Sequence, residues 1–226
     1  MAAHPVDLDA DTGAVTGAVT LDEADAEPGA RARLLRGFVV SALGVQPGPE
    51  LVQALLTLTA RADLTAREWV EVAVGWKKVA CLATAGQFVA VGELDRALNP
   101  GPGFDSDGGV DAHAGPGRTC PVRRTADELA PALGMAPRAA SSLVSLVRRC
   151  EDLPAAMDAV ADGRMDLPQL RALDSHARHL PPGPRRALEA AAVRWAPRRT
   201  RQQLDAALAS EAIRLAPGHA AEGLSG

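Results

Sequence analysis

Tyrosine is absent from these 226 residues, and Phe and Trp occur only three times each. Strands fill their pleated faces with aromatic and β-branched side chains, so this scarcity argues against a sheet. Cysteine is equally sparse. Cys81, Cys120 and Cys150 are odd in number, far apart and without a C-x-x-C pair. That argues against a disulfide framework or a zinc knuckle and suits a reducing cytoplasm. No uncharged apolar run reaches the ~18 residues a membrane span needs. The opening "MAAHPVDLDADTGAVTGAVTLDEADAEPG" has neither the basic start nor the apolar stretch of a secretory signal. These absences lead us to expect a soluble, cytoplasmic protein with no membrane partner.

What is present is Ala, Leu and Val, which make up most of an apolar share of 47%. Ala and Leu are strong helix formers, so closely packed helices are expected. The net charge of -4 conceals an asymmetry. Residues 1–118 hold 9 basic against 16 acidic groups, and residues 119–226 hold 15 against 12. Every basic residue of the second half is an arginine. An Arg-rich half beside an acidic one is compatible with nucleic-acid contact.

Residues 1–30 are acidic, Gly/Ala/Thr-rich and aperiodic, which predicts a disordered tail. A helical region follows over 31–98, with helices from about Arg31 to Leu43 and Glu50 to Ala62. A long helix then fills 65–98. Thr65 and Glu68 form a capping box at its start, each side chain satisfying a backbone N–H of the other. Trp69, Val72, Trp76, Val79, Ala83, Gly86 and Ala90 recur at three- and four-residue steps and form one stripe. Two readings of that stripe stand side by side: packing against the preceding helices, or the seam of a homodimer. "NPGPGFDSDGGVDAHAGPG" (99–117) is a linker rich in Gly, Pro and Asp. Its Asp105 and Asp107 do not make a calcium loop, because glycine misses the sixth position and no glutamate closes the twelfth. From 118 to 217 short helices are expected over 126–133, 137–150, 153–162, 167–180, 184–195 and 201–215. Capping boxes are expected at Thr125/Glu128 and Thr200/Gln203, an Asp166 cap, and a stop at Gly163. Residues 218–226 are expected to be disordered. The fold class is all-α: a multi-helix bundle with one long N-terminal helix.

"TADELAPALGMAPRAASSLVSLVRRC" (125–150) has the spacing of a helix-turn-helix. Leu129 and Leu133 are the expected buried residues of the first helix, Ala130 the small contact, and Gly134 the left-handed turn residue. Met135 seals the turn, and Pro137 occupies the first position of the second helix, where its missing N–H costs nothing. Ala140, Leu143, Val144 and Val147 form the inner face. That leaves Arg138, Ser141, Ser142, Ser145, Arg148 and Arg149 outward, with Arg123 and Arg124 available for backbone contacts. Arginines hold phosphates or guanines and short hydroxyls allow close approach to a duplex. A structural helix pair with a Ser/Arg solvent face explains the same spacing, and both readings stay open here.

Other chemistry finds little support. His176 and His179 stand at i, i+3 but lack a third metal ligand of suitable spacing. No G-x-S-x-G elbow is present. No catalytic, cofactor or metal residue is assigned.

"ADELAPALGMAPRAASSLVSLVRRCEDLPAAMDAVADGRMDLPQLRAL", followed by "LPPGPRRALEAAAVRWAPRRTRQQLDAALASEAIRLAP", resembles the actinobacterial domain of unknown function 222. Members of that family are often described as HNH endonucleases or as the 13E12 repeat family. The resemblance covers about residues 50–217, interrupted by the 99–117 loop. It implies an origin beside a metal-dependent nuclease. The nuclease's histidines and asparagine have no counterpart here, since the sole Asn is Asn99. The resemblance therefore implies a non-catalytic helical domain contacting double-stranded DNA. The alternative is a structural or dimerisation module, or the remnant of a truncated nuclease. Two departures from the family pattern stand out: Ala136 replaces the usual Ser or Thr cap, and Leu170 replaces a small residue.

Overall fold

Proline stands at the first or second position of six of the eight α-helices among the described residues. Its fixed φ suits a first turn, and it has no N–H to leave unpaired there. The computed structural model describes residues 47–60, 64–100 and 120–217. The expected acidic tail, the helix near 31–43, most of the 99–117 linker and the 218–226 tail lie outside them.

In chain order the helices are α1 (Pro49–Thr59), α2 (Ala66–Leu98), α3 (Pro121–Ala132), α4 (Pro137–Cys150), α5 (Pro154–Ala161), α6 (Leu167–Ala177), α7 (Pro182–Trp195) and α8 (Arg201–Leu215). A 3-10 turn (Ala196–Arg198) joins the last two. No strand occurs among the described residues, so the chain is all-α there. Capping boxes form as expected at Thr65/Glu68 and Thr200/Gln203, and Asp166 forms one with Gln169. Gly134 and Gly163 adopt φ of 61° and 73°. Each stands in a Schellman turn. Met135 N–H donates to the Ala130 carbonyl at 2.9 Å and Gly134 N–H to Pro131 at 3.3 Å, while Arg164 N–H donates to Ala159 at 2.8 Å and Gly163 N–H to Val160 at 2.9 Å.

One expected box does not form. α3 begins at Pro121, a turn earlier than expected, which places Thr125 inside the helix and out of solvent. Its hydroxyl donates to Asp95 Oδ1 at 2.6 Å and accepts from Asn99 Nδ2 at 3.1 Å. Pro121 brings a φ already suited to a first turn, so the helix starts ahead of Thr125.

The long helix α2 departs most from expectation. At 3.6 residues per turn, Val72, Gly75, Trp76 and Val79 share one side. Val72, Trp76 and Val79 meet Leu51, Leu55 and Leu58 of α1 in a small apolar cluster. Trp76 also donates from Nε1 to Thr59 Oγ1 at 3.2 Å. Two turns later burial switches to nearly the opposite side, where Cys81, Ala85, Phe88 and Val91 enter the main core. The stripe therefore splits. Val72, Trp76 and Val79 pack on α1, whereas Trp69, at the start of the stripe, and Ala83, Gly86 and Ala90 are exposed. The main core continues through Val144 of α4, Ala156 and Val160 of α5, Leu170 and Leu173 of α6, Leu188 of α7, and Leu204 and Leu208 of α8. Leu170, where the family pattern has a small residue, is fully buried. The segments before and after the linker share this one core.

Candidate nucleic-acid interface

α3 and α4 pack closely around Ala130 and Ala140, both buried, with Gly134 turning the chain between them. Leu129, Leu143, Val144 and Val147 are buried as expected, as are Leu146 and Cys150. Leu133 is not a core residue: it is 43% exposed, because it caps α3 and points away from α4's inner face. Met135 packs against the core from the turn.

The outward set divides by position along α4. Near its start, Arg138 and Ser142 are exposed, and Ser141 and Ser145 are half-buried. The Ser141 hydroxyl donates to the Pro137 carbonyl at 3.0 Å and Ser142 to Arg138 at 2.9 Å. Such back-bonding holds short hydroxyls flat against the helix. The N-cap, Ala136, makes no side-chain hydrogen bond. The first amides of α4 thus carry no side-chain acceptor, beside the exposed guanidinium of Arg138. Arg123 and Arg124 are exposed on the first turn of α3. Helix α3 ends at Ala132, so roughly 13 Å of helix axis lies between these two arginines and the turn.

Near the end of α4 the arginines turn inward, and the outward assignment of Arg148 and Arg149 is corrected. Arg148 donates from Nε to Asp95 Oδ2 and from Nη2 to Oδ1, both at 2.7 Å, with 14% of its side chain exposed. Arg149 donates from Nε and Nη2 to the two oxygens of Asp174 at 2.7 and 2.9 Å. Consecutive residues lie about 100° apart on a helix. One arginine therefore clamps α4 to α2 and the next clamps it to α6. Both forks are bidentate, the strongest geometry for this pair.

Electrostatics follow the same division. Burial alone would raise the Asp95 carboxyl. Hydrogen bonds from Arg148 and Thr125, the Arg148 charge and the Asn99 amide outweigh it and hold the group below its usual range. The Arg149 guanidinium is raised by its bonds to Asp174 against the opposing effect of burial. Burial, with Asp174 nearby, pushes the Cys150 thiol up to about 12, and Cys81 is raised by burial as well. Both thiols are buried in the core.

His176 bonds through Nε2 to Asp205 Oδ1 at 2.8 Å, and His179 is exposed beyond the end of α6. Among the described residues no three His, Cys, Asp or Glu converge on a point where a metal could bind. Nor is any helix there long and apolar enough to cross a membrane.

Sequence reasoning did not single out the junction of α7 and α8. There Arg194 and Arg199 flank Trp195, with guanidinium carbons 5.7 and 4.7 Å from a ring centroid. The legible signal was "RWAPRRTR", with four arginines and no acid in eight residues.

No protein-family model, no curated protein and no solved structure matches this chain.

Proposed function

We propose that the chain is a non-catalytic helical module, of the kind its resemblance to domain of unknown function 222 implies, that contacts double-stranded DNA. The observation carrying this reading is the open start of α4, where amides without a side-chain cap and exposed Arg138 stand together. A helix N-terminus attracts anions, and a phosphate oxygen there would supply the acceptor that Ala136 lacks. Ser141, Ser142 and Ser145 keep the surface beside it low enough for a duplex to approach. Arg123 and Arg124 would take phosphates further along. Arg148 and Arg149 orient α4 through their carboxylate partners and do not reach DNA.

Binding of a mixed-sequence duplex across a salt series tests the proposal. Arg138→Ala should weaken binding and lower the slope of log affinity against log salt by about 0.9, the value for one phosphate contact. No binding by the wild type at low salt would refute it.

A second reading, a homodimer through residues 65–98, is favoured by the solvent-facing part of α2. Ala83, Gly86 and Ala90 would let a second backbone approach closely, and Val89 stands beside them 64% exposed. Ala83→Glu with Ala90→Glu should turn a concentration-dependent dimer into a monomer by sedimentation. A wild type that is monomeric at every concentration rules the dimer out.

A further inference from the structure

We infer that the α7–α8 junction is a separate docking surface for the phosphate backbone of duplex DNA, made by Arg198, Arg199 and Arg201. It uses none of the residues of the α3–α4 face and stands whether or not that face binds DNA.

The surface is rigid. Gln169 of α6 is buried, and its Nε2 donates to the carbonyls of Ala196 at 3.0 Å and Arg199 at 2.9 Å. Its Oε1 accepts from Asp166 N–H at 3.0 Å, so the amide itself is locked. On the other side, Thr200 and Gln203 close a reciprocal capping box at 3.0 and 3.3 Å. The turn carrying the arginines is therefore held from both ends, and little order remains to be lost on binding.

The chemistry selects the partner. Arg198 and Arg201 are exposed, and no carboxylate pairs with either among the described residues. Arg199 is half-buried with its guanidinium over the Trp195 ring, a contact that uses the face of the guanidinium and not its N–H donors. The acids on the packed elements are committed elsewhere. Glu211 pairs with Arg214 and also feels Arg194, Asp205 holds His176, and buried Glu189 accepts from Ala156 N–H. Planar guanidinium forks match phosphate oxygens two at a time. Three of them in four residues fit a polyanion of closely spaced phosphates. None of the exposed large apolar side chains of the described residues lies within residues 194–201, so nothing there would enter a lipid surface. Arginines already occupy the Trp195 ring, which removes it as a platform for unstacked bases and favours a duplex over a single strand.

The test is Arg198→Ala/Arg201→Ala on the full chain, titrated with a mixed-sequence DNA duplex over a salt series. Arg138→Ala, the matching single strand, and phosphatidylserine–phosphatidylcholine vesicles run alongside. Neither substituted side chain bonds another described residue, so the thermal midpoint should match the wild type. The expected result is a slope lower by about 1.8, two phosphate contacts at ~0.9 each. An unchanged slope in the double variant overturns the inference, even if Arg138→Ala lowers it. A lower slope in the double variant with none in Arg138→Ala supports this surface and removes the α4 site. Tighter binding to the single strand, binding to vesicles alone, or no DNA binding by the wild type each overturns it.

Discussion

Asp95 ties three other residues together through its carboxylate. Its two oxygens accept from Arg148 twice, from Thr125 and from Asn99. Because its folded-state acidity is strengthened, its contribution is fully present above the ordinary carboxylate range and is lost as pH falls through the lowered value. The loss should therefore appear below about pH 4. Asp95→Asn should cost about 2 kcal/mol near neutrality, the scale of hydrogen bonds to a charged group. The gap to wild type should narrow as pH drops. Thermal melts from neutral to acidic pH check this, and a gap constant with pH would contradict it. The same residue shows where the sequence stops being informative. Thr125 and Glu128 have the spacing of a capping box, but Asp95 and Asn99 reach Thr125 from some 30 and 26 positions away. Arg148 and Arg149 meet carboxylates 53 and 25 positions away. Helical periodicity identifies the face a side chain occupies. It does not identify what packs opposite.

At the scale of elements, local signals were sufficient. Pro at helix starts, Gly at Schellman turns and reciprocal side-chain caps all act within a few residues, so most boundaries could be read from the sequence. The two left-handed glycines nonetheless differ in consequence. A Cβ at Gly134 would meet nothing within 4 Å, whereas at Gly163 it would lie 2.8 Å from Lys78 Cγ and 3.1 Å from Lys78 Cα. Gly134→Ala should cost only the backbone penalty, about 1 kcal/mol. Gly163→Ala adds a clash with main chain and should cost at least twice as much, roughly 2–3 kcal/mol. Urea unfolding of both variants checks the order, and equal costs would mean that the α5–α6 turn yields easily. The same turn sits beside the Lys77–Asp166 ion pair at 2.9 Å, so the substitution loosens a polar link as well. The open N-terminus of α4 was also legible, since Ala136 offers no cap. The rigidity of the α7–α8 junction was not, because it depends on Gln169 reaching across from another helix.

For the molecule as a whole, α2 belongs to both hydrophobic clusters, burying one side early and nearly the opposite side later. A stripe read from sequence alone assumes that a helix keeps one neighbour along its length, and here the neighbours change halfway. The main core draws on seven helices, whereas the α1 cluster rests on a few leucines and the first turns of α2. Such an arrangement lets a protein open in stages. Native-state hydrogen exchange should show the amides of Leu55 and Leu58 exchanging through a local opening of lower free energy than those of Leu173 and Leu208, which should wait for global unfolding. A single protection level across all four would mean that α2 transmits cooperativity along its full length. Either way this helix works as a splint: the strength with which its second half is gripped sets how long its first half holds α1 in place.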